Sequence, residues 1–139
     1  MKILVDTNVL LDVLCKRPAF YEDSAKIFKL CEAGEVSGII SALSVPNIVY
    51  IMRKELDTEK IKHTLENLSL IFSIMDLTGE DLHKAANMDF KDYEDAIQSA
   101  CAVRAKANFL ITRNISGFGK SQIPALLPSE LLTNFTCSI

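Results

Sequence analysis

The sequence predicts an α/β protein, a single three-layer domain on a mainly parallel five-stranded sheet that takes up residues 1–139. Three observations carry this expectation. Five short runs rich in Ile, Val, Leu or Phe are largely apolar, as strands buried on both faces must be. Helical patterns alternate with those runs, which implies right-handed crossovers between parallel strands. No internal repeat, low-complexity tract or linker interrupts the chain, and its length suits one hydrophobic core.

The first strand is KILV, Lys2–Val5, followed directly by Asp6, Thr7 and Asn8, with a helix starting near Val9. A helix is expected over residues 21–33, where Tyr21, Ala25, Phe28 and Cys31 recur at helical spacing and Gly34 supplies a stop. The second strand falls at residues 36–40. After it Ser44 is a candidate N-cap and Pro46 fits the first turn of a helix reaching about residue 54. Thr58 and Glu59 precede a stripe of Ile61, Leu65 and Leu68, and the third strand follows at residues 72–76. A short helix at 79–88 leads to a longer one at 92–107, with Tyr93, Ala96, Ile97, Ala100 and Val103 as its buried stripe. The fourth and fifth strands are expected at 108–112 and 124–127, and Pro128 with a Ser129 cap opens one more short helix.

Composition narrows the function classes. Hydrophobic residues make up 49% and charged residues 24%, an ordinary globular balance. The four cysteines, Cys15, Cys31, Cys101 and Cys137, form no CxxC or Cys/His cluster. They read as free thiols in a reducing compartment, without a zinc site. His63 and His83 are too few for a histidine-based metal site. No segment has the length of a membrane span, and Asp6, Asn8 and Asp12 interrupt the first apolar stretch, so neither a membrane anchor nor a signal peptide is expected. A cytoplasmic location follows. The formal net charge of −3 argues against a general nucleic-acid coat protein, while leaving room for a basic rim around an acidic pocket.

In doubly wound sheets ligands bind beyond the carboxyl ends of the strands, at the topological switch point. Asp6 sits at such an end. It is either the cap of the following helix or a carboxylate that needs a cation or several donors. The fourth strand ends similarly, in Thr112, Arg113, Asn114 and Ser116 before Gly117, and if it neighbours the first strand, Asn114 faces Asp6. Asp92, Glu94 and Asp95 open the long helix between them, and Asp92 and Asp95 have the spacing of a cap and its partner. Carboxylate and carbonyl oxygens without histidine or thiolate suit a hard cation, Mg²⁺ or Mn²⁺, which can activate water for attack on a phosphodiester. Such acids need a basic rim to receive a polyanion. Arg113 is the foremost candidate, with Arg17, Lys16 and Lys120 behind it, and Thr112 and Asn8 belong to the same substrate-facing set. Asp12 either pairs with Lys16 one turn later or orients Arg17.

With these residues in view, the chain resembles the PIN-domain family over nearly its whole length. ILVDTNVLLDVL is similar to the family's opening strand and first acid, YEDAIQSACAVRAKANFLITRN to its later acid-led helix and strand, and GFGKSQIPALLPSELL to its last strand and terminal helix. The resemblance implies a PIN-like fold and a Mg²⁺- or Mn²⁺-dependent ribonuclease site. It also implies RNA as substrate, a homodimer, and a toxin's role beside an antitoxin protein. By position, Asp6 matches the first acid and Asp95 the third, with Glu94 beside it, and Asn114 falls where many members carry another acid. Two positions depart from the family pattern. Asn47 stands where the second acid is usual, as in a subgroup that LLDVLCKRPAF also resembles, and Gly117 replaces the acid before Phe118. Asparagine can still offer a neutral carbonyl oxygen.

The alternative is a catalytically weak or inactive PIN-fold module that binds RNA or a protein partner, motivated by Asn47 and Gly117. Two phosphotransfer classes fit less well. A receiver domain expects an acidic pair where Asp6 stands alone and a lysine after the last strand, and a haloacid-dehalogenase-like phosphatase needs an aspartate where Asn8 stands.

Overall fold

A computed structural model describes residues 1–136, except the side chain of Thr136. The first strand, β1 (Lys2–Val5), leads through α1 (Thr7–Leu14) and α2 (Tyr21–Glu32) to β2 (Ser37–Ser41). Helices α3 (Ser44–Met52) and α4 (Thr58–Ile71) connect β2 to β3 (Ser73–Met75), and α5 (Gly79–Ala86) and α6 (Tyr93–Arg104) connect β3 to β4 (Phe109–Ile111). A 3₁₀ turn (Ile115–Phe118), β5 (Ala125–Leu126) and α7 (Pro128–Thr136) complete the described chain.

All four strand pairings are parallel, and the order is β3-β2-β1-β4-β5. The predicted five-stranded sheet is present, with β1 at its centre and β1 and β4 as neighbours. Successive side chains of a strand point to opposite faces, and both faces are covered. Ile3, Val5, Ile40 and Ile111 pack with α1, α2, α3, α4 and α7 on one side. Leu4, Ile39 and Leu110 pack with α5, α6 and Phe118 on the other. Each fully buried Leu or Ile contributes about 1.5–3 kcal/mol of burial.

The outer strands depart from expectation. Ser73 and Ile74 of β3 are exposed, and both residues of β5 are half-buried. These are edge strands with one partner each, so the apolar run at 72–76 owes its burial mainly to Phe72, which stacks edge-on against Phe28 at 5.0 Å.

Helix faces are also rotated from the predicted stripes. Tyr21 is exposed and Ala25 half-buried, while Phe28 and Cys31 of the predicted stripe are buried together with Ser24 and Ile27. Tyr93 and Val103 are exposed, while α6 buries everything from Ala96 to Ala102. Small side chains let that helix sink between the sheet and α5. Gly34 does end α2, in the left-handed conformation at φ +76° that glycine adopts without strain.

Two predicted caps lie inside their helices. Ser44 is the first residue of α3, fully buried, and its hydroxyl meets Thr7 Oγ1 at 2.7 Å. Ser129 follows Pro128 within α7, and the entry to that helix is held by Leu127 N donating to Glu130 Oε1 at 2.9 Å. Cys15, Cys31 and Cys101 are free thiols, and burial pushes Cys31 up to about 12. Cys137 lies outside the described residues. Among the described residues no helix is long and apolar enough to cross a membrane.

Candidate active site

The sheet's winding reverses between β1 and β4, and Asp6 stands one residue beyond β1 at that point. The parallel register pairs Val5 with Ile111, so the next residues along, Asp6 and Thr112, are neighbours. Asp6 N donates to Ile111 O at 2.9 Å, and Thr112 Oγ1 donates to Asp6 Oδ2, also at 2.9 Å. The other carboxylate oxygen accepts from Thr7 N at 2.8 Å, which makes Asp6 the N-cap of α1. Capping and site-facing, the two readings of Asp6, describe one geometry: a carboxylate only 6% exposed, with both oxygens held.

Asp95 reaches the same cleft from the first turn of α6. Asp92 caps that helix by accepting from Asp95 N at 3.0 Å. The Asp95 carboxylate does not return the favour. It accepts from Asn114 Nδ2 at 3.2 Å, and Ser116 Oγ donates to Asn114 Oδ1 at 3.2 Å, orienting the amide. The segment after β4 thus grips both acids, Asp6 through Thr112 and Asp95 through Asn114. Thr112 Oγ1 also accepts from Asn114 N at 3.0 Å, tying the two grips together. Asn114 turns its amide nitrogen to Asp95, and its carbonyl oxygen accepts from Ser116.

Gly117 closes this arrangement. A Cβ there would lie 2.3 Å from Asn114 Nδ2 and 2.6 Å from Asp95 Oδ2. The space that a side chain at 117 would fill is occupied by the Asn114–Asp95 contact.

Asp6, Asp92, Glu94 and Asp95 line one cleft of about 370 Å³ with Asn8, Asn47 and Asn114. Burial pushes the Asp95 carboxyl up to about 6, with the charges of Asp6 and Asp92 adding to the rise. Burial also raises Asp6, against the hydrogen bonds from Thr112 and Thr7 and with the charges of Asp92 and Glu94. An acidic cleft of this kind is electrostatically uncomfortable without a positive charge. Among the described residues, no three His, Cys, Asp or Glu side chains form a ready-made metal cage. The oxygen set of two carboxylates flanked by side-chain amides still fits a hard cation that keeps several waters.

Of the substrate-facing candidates, Asn8 lines this cleft. Thr112 is fully buried and acts on Asp6. Arg113 and Arg17 are brought together elsewhere, on Asp12. Arg113 Nε and Nη2 donate to Asp12 at 2.6 and 3.1 Å, Arg17 Nη1 donates to it at 3.2 Å, and the Arg113 guanidinium stacks over Phe20 at 4.0 Å. Of the two readings of Asp12, the contact with Arg17 is present, and among the described residues no ion pair joins it to Lys16. A fully buried carboxylate draws the forked guanidinium that chain folding brings beside it. Lys120 pairs with Asp89.

Gln98 and Tyr50 are among the cleft residues that the sequence did not single out. Gln98, one turn beyond Asp95, is buried, and its Nε2 donates to Ser44 Oγ at 3.1 Å and Thr7 Oγ1 at 3.3 Å. Among the described residues its Oε1 has no hydrogen-bond partner. Its signal was a lone amide in the run AIQSACA. Tyr50, one turn beyond Asn47 on α3, also lines the cleft.

A model of the PIN-domain family matches residues 2–116. The chain belongs to the PIN-domain family. No curated protein sequence matches it, whereas solved structures of similar fold do. A VapBC2 complex from Rickettsia felis, bound to a promoter DNA fragment, contains a chain 16% identical to this PIN domain, with a TM-score of 0.71; the match covers 91% of this chain and 98% of that one. A toxin–antitoxin complex from Klebsiella pneumoniae contains one 24% identical, with a TM-score of 0.69 and coverage of 91% and 97%. A DNA-bound VapBC from Salmonella typhimurium contains one 17% identical, with a TM-score of 0.69 and coverage of 92% and 98%. At these identities the likeness is one of fold.

Proposed function

We propose that this PIN domain is a divalent-metal-dependent ribonuclease that hydrolyses RNA phosphodiester bonds. The observation that carries the reading is the convergence of Asp6 and Asp95 in one cleft at the switch point, each held by the segment after β4 and each raised by burial. Asp6 and Asp95 would hold Mg²⁺ or Mn²⁺, with waters completing its shell. Bound there, such an ion supplies an activated water and offsets charge on the phosphodiester. The chain's own part is preorganisation. Thr7 N and Thr112 fix Asp6, Asn114 fixes Asp95, and the buried Gln98 holds the base of α1 against α6 through Thr7. Glu94, on the cleft wall, would take up a proton from an attacking water. Asn47 and Asn8 would bind ribose or phosphate oxygens across the cleft.

One neighbour of similar fold comes from a toxin–antitoxin complex, and others come from DNA-bound VapBC complexes. By extension the domain is a cytoplasmic toxin that forms a homodimer and is restrained by an antitoxin protein. Cleavage of single-stranded RNA with Mn²⁺, comparing the parent with Asp6→Asn, tests the enzymatic reading. It predicts cleavage by the parent and none by the variant; equal activity in both, or none in a well-folded parent, would sink it.

A second reading has its own observation. Asn47 and Gly117 supply no carboxylate, which favours a PIN-fold module that binds RNA or a protein without cutting. Calorimetry with Mn²⁺ separates the two, because Asp6-dependent ion binding belongs to the first reading alone.

A further inference from the structure

The acidic cleft has an unsolved charge problem. Its lining carries four carboxylates and no lysine or arginine. Arg113 and Arg17, the rim candidates, spend donors on Asp12 and lie outside that lining. A polyanion approaching Asp6 therefore needs attraction from somewhere else on the cleft's wall.

Helix α3 supplies it. Asn47 and Tyr50 are three residues apart, hence on one face of the helix, and both line the cleft. The Tyr50 side chain is 57% exposed, unusual for a ring of that size beside a polar site. One turn on, the Arg53 guanidinium sits over the Tyr50 ring, 4.1 Å from its centroid. Among the described residues Arg53 enters no ion pair, so its charge is uncompensated. The guanidinium, itself outside the lining, braces the ring and sets an unpaired positive charge beside the Tyr50 wall of the cleft.

We propose that Tyr50 and Arg53 form a base-stacking step at the mouth of the cleft, which holds the nucleotide next to the scissile phosphodiester and selects single-stranded RNA. The inference rests on the ribonuclease reading and names its substrate class. Stacking on an aromatic ring strengthens the hold on each base and is tolerant of sequence, because every base has a π-face. A base in a duplex is already stacked and paired, so the step discriminates by strandedness. Arg53 adds attraction for the flanking phosphate, which the lining of the cleft lacks.

The test is fluorescence anisotropy with a labelled, mixed-sequence single-stranded oligoribonucleotide and its duplex. It uses the full chain carrying Asp6→Asn, in Mn²⁺, so that binding is read without cleavage. Adding Tyr50→Ala is expected to weaken single-strand binding about tenfold. Tyr50→Phe should stay within about twofold, since the ring and not the hydroxyl does the stacking. Arg53→Ala should weaken binding and flatten its salt dependence. Duplex binding should be weaker throughout and indifferent to Tyr50→Ala. Unchanged single-strand affinity in Tyr50→Ala, with measurable binding in its background, overturns this proposal and leaves the ribonuclease reading standing. A parent that neither binds nor cleaves RNA overturns both. Sedimentation covers the remaining occupant: if Tyr50→Ala dissociates a dimer and leaves single-strand affinity intact, the ring is an interface and the stacking step is wrong.

Discussion

Helices α5 and α6 begin with the same local pattern, a capping side chain followed three residues later by an aspartate, yet the two aspartates meet opposite surroundings. In α5, Thr78 Oγ1 accepts from Asp81 N at 3.1 Å and Asp81 Oδ2 accepts from Thr78 N at 3.0 Å, a completed capping box. Arg104 then donates to both oxygens of Asp81, at 3.0 and 2.8 Å. Burial works against the ionised form, but hydrogen bonds from Arg104 and Thr78 outweigh it and hold Asp81 below the usual carboxylate range. In α6, Asp92 caps but Asp95 leaves the box, gains one amide donor, and faces Asp6 and Asp92. The difference separates a carboxylate that stabilises the fold from one whose ionised form is opposed by burial and neighbouring charge. What decides between them is the group that tertiary structure sets opposite: a guanidinium for Asp81, another acid for Asp95.

Breaking the stable member should have the larger effect. Asp81→Ala removes a buried carboxylate from a bidentate pair, and because Arg104 remains partly open to water the expected loss is about 2 kcal/mol in urea unfolding. Asp81 is depressed in the folded state, so its contribution is present above the unfolded pKa near 3.8 and is lost as pH falls through the lower folded value. The gap between parent and variant should therefore close in acid. RNA cleavage per folded molecule should not change.

The poised member should behave in the opposite sense. Asp95 is raised to about 6, so its carboxyl favours folding when protonated, and that contribution fades as pH rises from about 4 through 6. Asp95→Asn should abolish cleavage yet stabilise the fold at pH 8 by on the order of 1 kcal/mol, after allowance for solvent screening. The gain should vanish near pH 4. A thermal-unfolding series against pH reads both arms, and a destabilised Asp95→Asn at pH 8 would contradict the assignment.

A finer adjustment comes from Asn114. Replacing it with alanine removes the amide donor from Asp95, and the Asp95 titration followed by carboxyl-carbon NMR should move up by about half a pH unit. Gly117→Ala should move it the same way, because its Cβ displaces the amide. An unmoved titration in both variants would show that the amide contact does not hold in solution.

Much of the frame was legible along the chain. An apolar run ending abruptly in Asp6-Thr7-Asn8, and a second ending in Thr112-Arg113-Asn114, place a polar mouth on a parallel sheet because buried strands are apolar on both faces. The switch point follows from β1 and β4 lying side by side. Pairings between distant residues were not legible. Asp12 meets Arg113 across a separation of 101 residues, Asp81 meets Arg104 across 23, and Ser44 turns inward to Thr7 and Gln98. Local spacing offered Asp12 a lysine one turn away and Ser44 a capping role, and tertiary contacts overrode both. Tyr93 and Val103 fit a helical stripe, but the small residues of α6 let the whole middle of that helix sink inward and left its ends outside.

Asp6 and Asp95, brought together without a compensating positive charge, are proposed to form a cation site. Anomalous diffraction from a crystal equilibrated with Mn²⁺ tests it most directly. A manganese peak is expected within bonding distance of both carboxylates and absent from crystals of Asp6→Asn. A cleft with no peak at saturating Mn²⁺, or an ion bound away from Asp6 and Asp95, would contradict the proposal.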